Sequence, residues 1–343
     1  MLTDAFGREV TDLRISVTNR CNFACVYCHD EGLGPVSRPS AAHGEEMLPA
    51  EVDRLVGVAR EFGIRSVKFT GGEPLVRSDL EEIIERTVRQ VPDVSLTTNG
   101  SMLAERAAGL RAAGLKRVNV SIDSLDPQEF HEIRKGSLAS VLRGVDAAIE
   151  AGLTPVKLNL VVLGFTVANI PDLVEFVQRK EGLKLQLIQF MPEFAPHPDW
   201  NADLAEVHRW LEHRATQVLQ REMHHRKVYR FDAAEIEVVD PVNNTDFCLH
   251  CHRIRVTHKG ELKGCLNRND DLVPTRGLSD AQLRAAFRRV ITQRVPFYGV
   301  FQPVAAPAEW VPLPMLRARR DPSSSELGPT KGSASEGRRD RPK

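Results

Sequence analysis

Short runs rich in β-branched and apolar residues recur along the first part of the chain: LRISVT (13–18), SVKFT (66–70), VSLTT (94–98), RVNVSI (117–122), PVKLNLVV (155–162) and KLQLIQFM (184–191). Amphipathic stretches separate them; Val52, Leu55, Val56, Ala59 and Phe62 recur at i, i+3, i+4, the mark of one helix face. This alternation, from about residue 13 to 220, predicts repeated βα units around a parallel sheet of six strands. Six units fall short of a closed eightfold barrel. An incomplete (β/α) barrel and an open doubly wound sheet both fit, and either puts chemistry at the C-terminal strand ends. Thr70-Gly71-Gly72-Glu73, Thr97-Thr98-Asn99-Gly100, Ser121-Ile122-Asp123 and Phe190-Met191-Pro192 lie there.

Beyond residue 225 the rhythm stops. RIRVTHKGELKGC (253–265) reads as a hairpin turning at Lys259-Gly260, with Ile254 and Val256 on one face and Arg253, Arg255 and Thr257 on the other. Ser279 and Gln282 form a capping box ahead of a helix carrying Leu283, Phe287 and Val290. From Arg317 the chain is rich in Ser, Pro, Gly and charge, which predicts a disordered tail over 317–343.

Composition narrows the classes. Lys plus Arg equals Asp plus Glu at 46 each in 343 residues, so no global charge points to nucleic acid or an acidic membrane, and anion binding must come from local clusters. The N-terminal MLTDAFGREV lacks a signal-peptide core and no run of about 18 apolar residues occurs, so a cytoplasmic protein is expected. The six cysteines fall into two triads, Cys21, Cys25, Cys28 and Cys248, Cys251, Cys265, which in a reducing compartment read as metal or cluster ligands.

The first triad is C-x3-C-x2-C. Three thiolates can hold three irons of a [4Fe–4S] cluster and leave the fourth open, whereas His29 could complete a closed Cys3His zinc site. TGGEP (70–74) alone would be an ordinary turn. The second triad is C-x2-C-x13-C, with His250 and His252 beside it; a zinc ribbon fragment is the alternative to a second cluster. Two arginines at i and i+2 on one strand are most often a solvated face, but beside cysteines their planar forks can grip phosphate or purine edges.

CNFACVYC (21–28), with aromatic Tyr27 before the last cysteine, resembles the radical S-adenosylmethionine (SAM) superfamily. FCLHCHRIRVTHKGELKGCL (247–266) resembles the C-terminal motif of the GTP 3′,8-cyclases, the molybdenum cofactor biosynthesis protein A family, and the likeness runs over about residues 5 to 300. That resemblance implies an incomplete (β/α)6 TIM-type barrel with a C-terminal cluster domain closing its mouth. The implied division is 1–225 for the radical SAM partial barrel, 226–316 for the auxiliary cluster and GTP-binding domain, and 317–343 for the tail.

It implies two [4Fe–4S] clusters on the two triads, and SAM held by Tyr27, Gly71, Gly72, Glu73, Ser121 and Met191. GTP contacts would come from Arg14, Lys68, Thr97, Lys157, Arg253 and Arg255, whose five basic groups suit a triphosphate. The implied reaction takes hydrogen from C3′ of GTP with a 5′-deoxyadenosyl radical and joins C3′ to C8. An external electron donor of flavodoxin or ferredoxin type, cyclic pyranopterin monophosphate synthase as the next enzyme, and homodimerisation as one option complete the expected partners.

The chain departs from the family pattern at several positions. Ser66 stands for a lysine, Lys68 for an arginine, Gln186 and Gln189 for an arginine and a glutamate, and His29-Asp30 for Met-Pro. The family's usual terminal Gly-Gly has no counterpart, since Gly328, Gly332 and Gly337 are isolated. A divergent two-cluster enzyme acting on a peptide, and a non-catalytic iron–sulfur or zinc sensor, are the other readings. The converging arginines speak against the first and TGGEP against the second.

Overall fold

The computed structural model describes residues 2–32, 45–194, 197, 200–299 and 301–302. The six predicted runs form β1 (Asp12–Ser16), β2 (Ser66–Thr70), β3 (Asp93–Thr98), β4 (Arg117–Ser121), β5 (Val156–Val162) and β6 (Leu183–Gln189), each pairing in parallel with the next. Helices α1 (Pro49–Glu61), α2 (Leu80–Val88), α3 (Leu103–Ala112), α4 (Pro127–Arg134), α5 (Leu138–Glu150) and α6 (Ile170–Arg179) make the crossovers that parallel strands require. On α1, Val52, Leu55, Val56 and Ala59 are buried as the spacing predicts.

The chain after β6 differs from the reading of its sequence. After α7 (Leu204–Glu212) come β7 (Gln217–Gln220), β8 (Lys227–Arg230) and β9 (Glu235–Val239), then α8 (Thr245–Leu249), β10 (Arg253–Val256), β11 (Glu261–Lys263), β12 (Val273–Pro274) and α9 (Asp280–Gln293). β9 pairs in parallel with β6, and β10 pairs in parallel with β1, so both edges of the six-stranded core gain a parallel neighbour. The result is a twelve-stranded sheet of order β12-β11-β10-β1-β2-β3-β4-β5-β6-β9-β8-β7. Edge pairing of this kind satisfies backbone groups that would otherwise stay open, and neither added strand arrives by a regular βα unit, since β9 follows the β7–β8 hairpin and β10 the five-residue α8. The expected hairpin is β10–β11, turning at Gly260 (φ +80°), and Ser279 caps α9 with Gln282 as predicted.

Strand side chains alternate between two unlike faces. Leu13, Ile15, Val67, Phe69, Leu96, Val118, Val120, Leu158, Leu185, Val238 and Ile254 are buried in the hydrophobic core. The opposite face carries, in register, Arg255, Arg14, Lys68 and Ser95 on β10 to β3, and Thr97, Asn119 and Lys157 on β3 to β5. Asn159, Gln186 and Glu237 form a similar row across β5, β6 and β9. A parallel sheet covered by helices on both faces would be apolar throughout, so this polar face must look onto a lumen. One cavity touches β1, β2, β4, β5, β6 and β10, which requires the sheet to curl around it. Among the described residues no helix is long and apolar enough to cross a membrane. The expected tail at 317–343 lies outside the described residues.

Candidate functional site

The loop after β1 carries Cys21, Cys25 and Cys28 and is tied down at its start by the loop after β2. Gly72 N–H donates to Thr18 O at 2.8 Å and Glu73 N–H to Arg20 O at 2.7 Å. A Cβ on Gly71 would stand 2.3 Å from Thr18 O, and one on Gly72 2.3 Å from Arg20 O. The two glycines therefore admit the chain's own backbone, a reason the motif alone does not reveal. Glu73 turns inward: its carboxylate accepts from Thr98 Oγ1 (2.6 Å), Asn99 N–H (2.6 Å) and Leu75 N–H (2.9 Å) and staples the ends of β2 and β3, while burial pushes its pKa up.

Tyr27, on the cysteine loop itself, is fixed through its hydroxyl. Its hydroxyl donates to Asp123 Oδ2 at 2.7 Å, and Arg134 Nε meets the same oxygen at 2.7 Å. Arg134 also reaches within 3.7 Å of Cys25 Sγ, and the Phe23 N–H points at Cys21 Sγ at 3.4 Å. Burial pushes the Cys21 and Cys25 thiols up to about 11. All six cysteines are described and none is in a disulfide. Three thiols with a guanidinium and an N–H aimed at their sulfurs suit a cluster with one iron free of protein ligands. The His29 Nδ1 that might have completed a zinc site accepts the Gly32 N–H at 3.0 Å. Ser121 ends β4, and Met191 lies just past β6 on the cavity wall.

The cavity has a volume of about 740 Å³ and is lined by all of the second triad together with Arg14, Lys68, Lys157, Arg253 and Arg255. Thr97 is not on its wall, but its hydroxyl is buried on the same sheet face with no hydrogen-bond partner among the described residues. Ten arginine and lysine side chains line the cavity against four aspartates and glutamates, so this neutral chain concentrates positive charge at one place.

Acids that sequence reasoning missed hold part of that charge. Asp12 pairs with Arg253, Glu31 with Arg255 at 2.8 Å, and Glu237 with Lys157 at 2.5 Å. Burial favours neutral Glu31, but Arg14 and Arg255 outweigh it and hold its carboxyl at about 2. Glu237 is likewise held at about 2, burial being outweighed by Arg226, Lys157 and Arg221. Arg226 and Arg221 approach it at 3.0 and 3.2 Å. Among the described residues Arg14 and Lys68 stand in no direct ion pair, although the Glu31 charge acts on Arg14 and that of Asp12 on both: Arg14 Nε is buried without a hydrogen-bond partner and Lys68 Nζ donates to Asn119 Oδ1 at 3.3 Å. Burial lowers the Arg14 pKa to about 10, and burial with the nearby Arg14 and Lys157 charges lowers Lys68 well below its usual range. A buried, unsatisfied guanidinium nitrogen marks a place for an anionic ligand or water. The alternating polar positions of DLRIS, SVKFT, VKLNL and EIEVV were the available signal for Asp12 and Glu237.

The departures from the family pattern are accommodated. Ser66 Oγ lies between two carboxylates, 3.2 Å from Asp12 Oδ2 and 3.1 Å from Asp93 Oδ2, with one proton to give to either, and Asp93 pairs with Arg117. Gln186 is buried on the cavity wall, and Gln189 Oε1 accepts the Val242 N–H at 2.9 Å.

Segments far apart in sequence position the second triad. Cys248 lies on α8 and Cys265 follows β11, and burial raises both thiols against the opposing pull of nearby backbone N–H groups. Arg8 Nη1 donates to Cys248 O at 2.9 Å, and Arg294 Nη1 to Arg253 O at 3.1 Å. Both arginines share the buried carboxylate of Asp4, each at 2.7 Å. This donor set could hold a second three-cysteine cluster.

Residues 15–177 match the family described as the Radical SAM superfamily, and 183–299 the family described as Molybdenum Cofactor Synthesis C. The chain is 48% identical to a probable GTP 3′,8-cyclase of Halobacterium salinarum, over 88% of this chain and 91% of that protein. It is 43% identical to the probable GTP 3′,8-cyclase of Methanosarcina mazei, over 87% and 90%. Among solved structures it resembles Streptococcus suis SuiB bound to S-adenosylmethionine, with a TM-score of 0.57 at 15% identity, covering 75% of this chain and 60% of that one. At that identity the likeness concerns the fold alone.

Proposed function

The chain belongs to the GTP 3′,8-cyclase family of radical SAM enzymes, and from that membership we propose that it converts GTP to its 3′,8-cyclised dihydro form, the first step of molybdenum cofactor biosynthesis. The observation that carries the substrate is the lumen itself, where a cation surplus, the unsatisfied Arg14 Nε and the second cysteine triad meet. Cys21, Cys25 and Cys28 would hold the first [4Fe–4S] cluster, and Cys248, Cys251 and Cys265 would hold a second, which would supply a binding position for the purine. When bound, the first cluster with SAM and an external one-electron donor supplies the 5′-deoxyadenosyl radical that takes hydrogen from C3′.

The protein's own work is positioning and exclusion. Arg14 and Lys68 grip the triphosphate. Arg253 and Arg255, held in place by Asp12 and Glu31, orient the nucleotide beside the second triad. The product passes to cyclic pyranopterin monophosphate synthase. A peptide substrate would leave this cation set without a role.

The decisive test is anaerobic turnover with SAM and GTP deuterated at C3′. Deuterium in the 5′-deoxyadenosine supports the reading, and unlabelled 5′-deoxyadenosine with no cyclised product overturns it.

Lys68 gives a pH prediction. Burial and its cationic neighbours depress its pKa in the free protein, and an adjacent triphosphate raises it, so GTP binding takes up a proton in the window between the two values. Affinity is full below the depressed value and falls as pH rises through it. Calorimetry of GTP binding in buffers of different ionisation enthalpy will register the uptake, and Lys68→Arg will remove it. Equal heats in all buffers for the unmodified protein would contradict this.

Arg226 adds a second handle. It lines the cavity and shares Glu237 with two other cations, so one carboxylate leaves positive charge over for the ligand. Loss of one charge-assisted contact costs about 1.5–3 kcal/mol, so Arg226→Ala will raise KM for GTP by about tenfold or more with kcat nearly unchanged. An unaltered KM would remove Arg226 from the binding set.

A further inference from the structure

Away from the cavity wall, His225, Asp246 and His250 bring one ligating atom each within 4.8 Å of one another. Asp246 and His250 are one helical turn apart on α8 and its cap, and therefore share a side. His225 comes from the turn between β7 and β8. His225 Nδ1 lies 2.8 Å from Asp246 Oδ2, while His250 Nδ1 lies 2.9 Å from the Asp246 backbone O and 3.2 Å from its Oδ1. The rings stack with centroids 3.1 Å apart. Neighbouring ligands of a four-coordinate ion with nitrogen and oxygen bonds of about 2.0–2.2 Å are separated by comparable distances.

The backbone is bent to make this arrangement. His224 (φ 64°) and His225 (φ 48°) are consecutive left-handed residues without being glycine, each costing on the order of 1–3 kcal/mol. Two contacts hold them there: His224 N–H donates to His250 O at 2.7 Å, and the His224 ring stacks on Phe247 at 4.0 Å. The strain thereby aims His225 across the turn at Asp246.

We propose that His225, Asp246 and His250 form a site for a divalent transition ion of the zinc type, separate from both cysteine triads and completed by water. Two imidazoles and a carboxylate are a borderline N/O set that suits zinc among the divalent ions. The side chains are 31%, 56% and 34% exposed, so an ion enters from solvent and open positions take water. His250 stands between Cys248 and Cys251, so an ion here cross-links the cysteine loop to the β7–β8 turn that also delivers Arg226. The site does not rest on the cyclase reading.

The test uses protein loaded with its iron–sulfur clusters, titrated anaerobically with Zn²⁺ against a chromophoric chelator. The unmodified protein is expected to take up one more equivalent than His225→Ala and Asp246→Asn, each of which weakens that equivalent by at least about 100-fold. Iron and sulfide contents should be equal in all three, because no cysteine is changed. Equal zinc stoichiometry and affinity in the unmodified protein and His225→Ala would overturn the site.

Discussion

Cys265→Ser is expected to keep SAM cleavage at the first triad and to lose GTP cyclisation by at least about 100-fold. Cys265 follows β11, lines the cavity, and is no part of the loop of Cys21, Cys25 and Cys28. Removing its thiolate leaves two sulfurs for the second group, whose place beside Arg253 and Arg255 is what would hold the purine. A misplacement of about 1 Å at a reacting centre can cost on the order of 100-fold, and loss of the anchoring group exceeds that. The readouts are 5′-deoxyadenosine formed without substrate, and cyclised product formed with it. Product at the unmodified rate would refute any role for the second triad in holding GTP.

Gly72→Ala is expected to abolish SAM cleavage through the first cluster alone. The new Cβ would lie 2.3 Å from Arg20 O and 2.6 Å from the carbon of the same carbonyl, so backbone, and not a movable side chain, must give way. Parting the two loops breaks the hydrogen bonds from Gly72 and Glu73 that seat the cysteine loop, at a cost on the order of 3 kcal/mol. Iron content should fall by about half as the second group persists, because α8, β10 and β11 make no part of this contact. An alanine variant with full iron and unimpaired SAM cleavage would show that the close approach of the loops is dispensable.

Much of the candidate site was legible because its signals are local. Cysteine spacing within one loop, the 3.6-residue period of α1, the Ser279 cap and the six β-branched runs each depend on neighbours a few residues away. The polar face of the sheet was partly legible too, as a two-residue alternation in the strands. What escaped were β9 and the parallel setting of β10, which follow from edge pairing and do not arrive by a regular βα unit.

The sequence by itself determined the βα frame, the two cysteine triads and the basic residues at strand positions, since period, spacing and residue chemistry are properties of short segments. Only the tertiary structure decided which charges are spent and which remain available. Parallel pairing of β10 with β1 sets Arg253 against Asp12, 241 residues apart, and Arg255 beside Arg14, while Glu31 and Glu237 claim Arg255 and Lys157. Arg14 and Lys68 are left buried and, among the described residues, outside any direct ion pair. The physical reason is that charge pairing and desolvation depend on distances of a few ångströms between strands, which register across the sheet sets and no local stretch of sequence encodes.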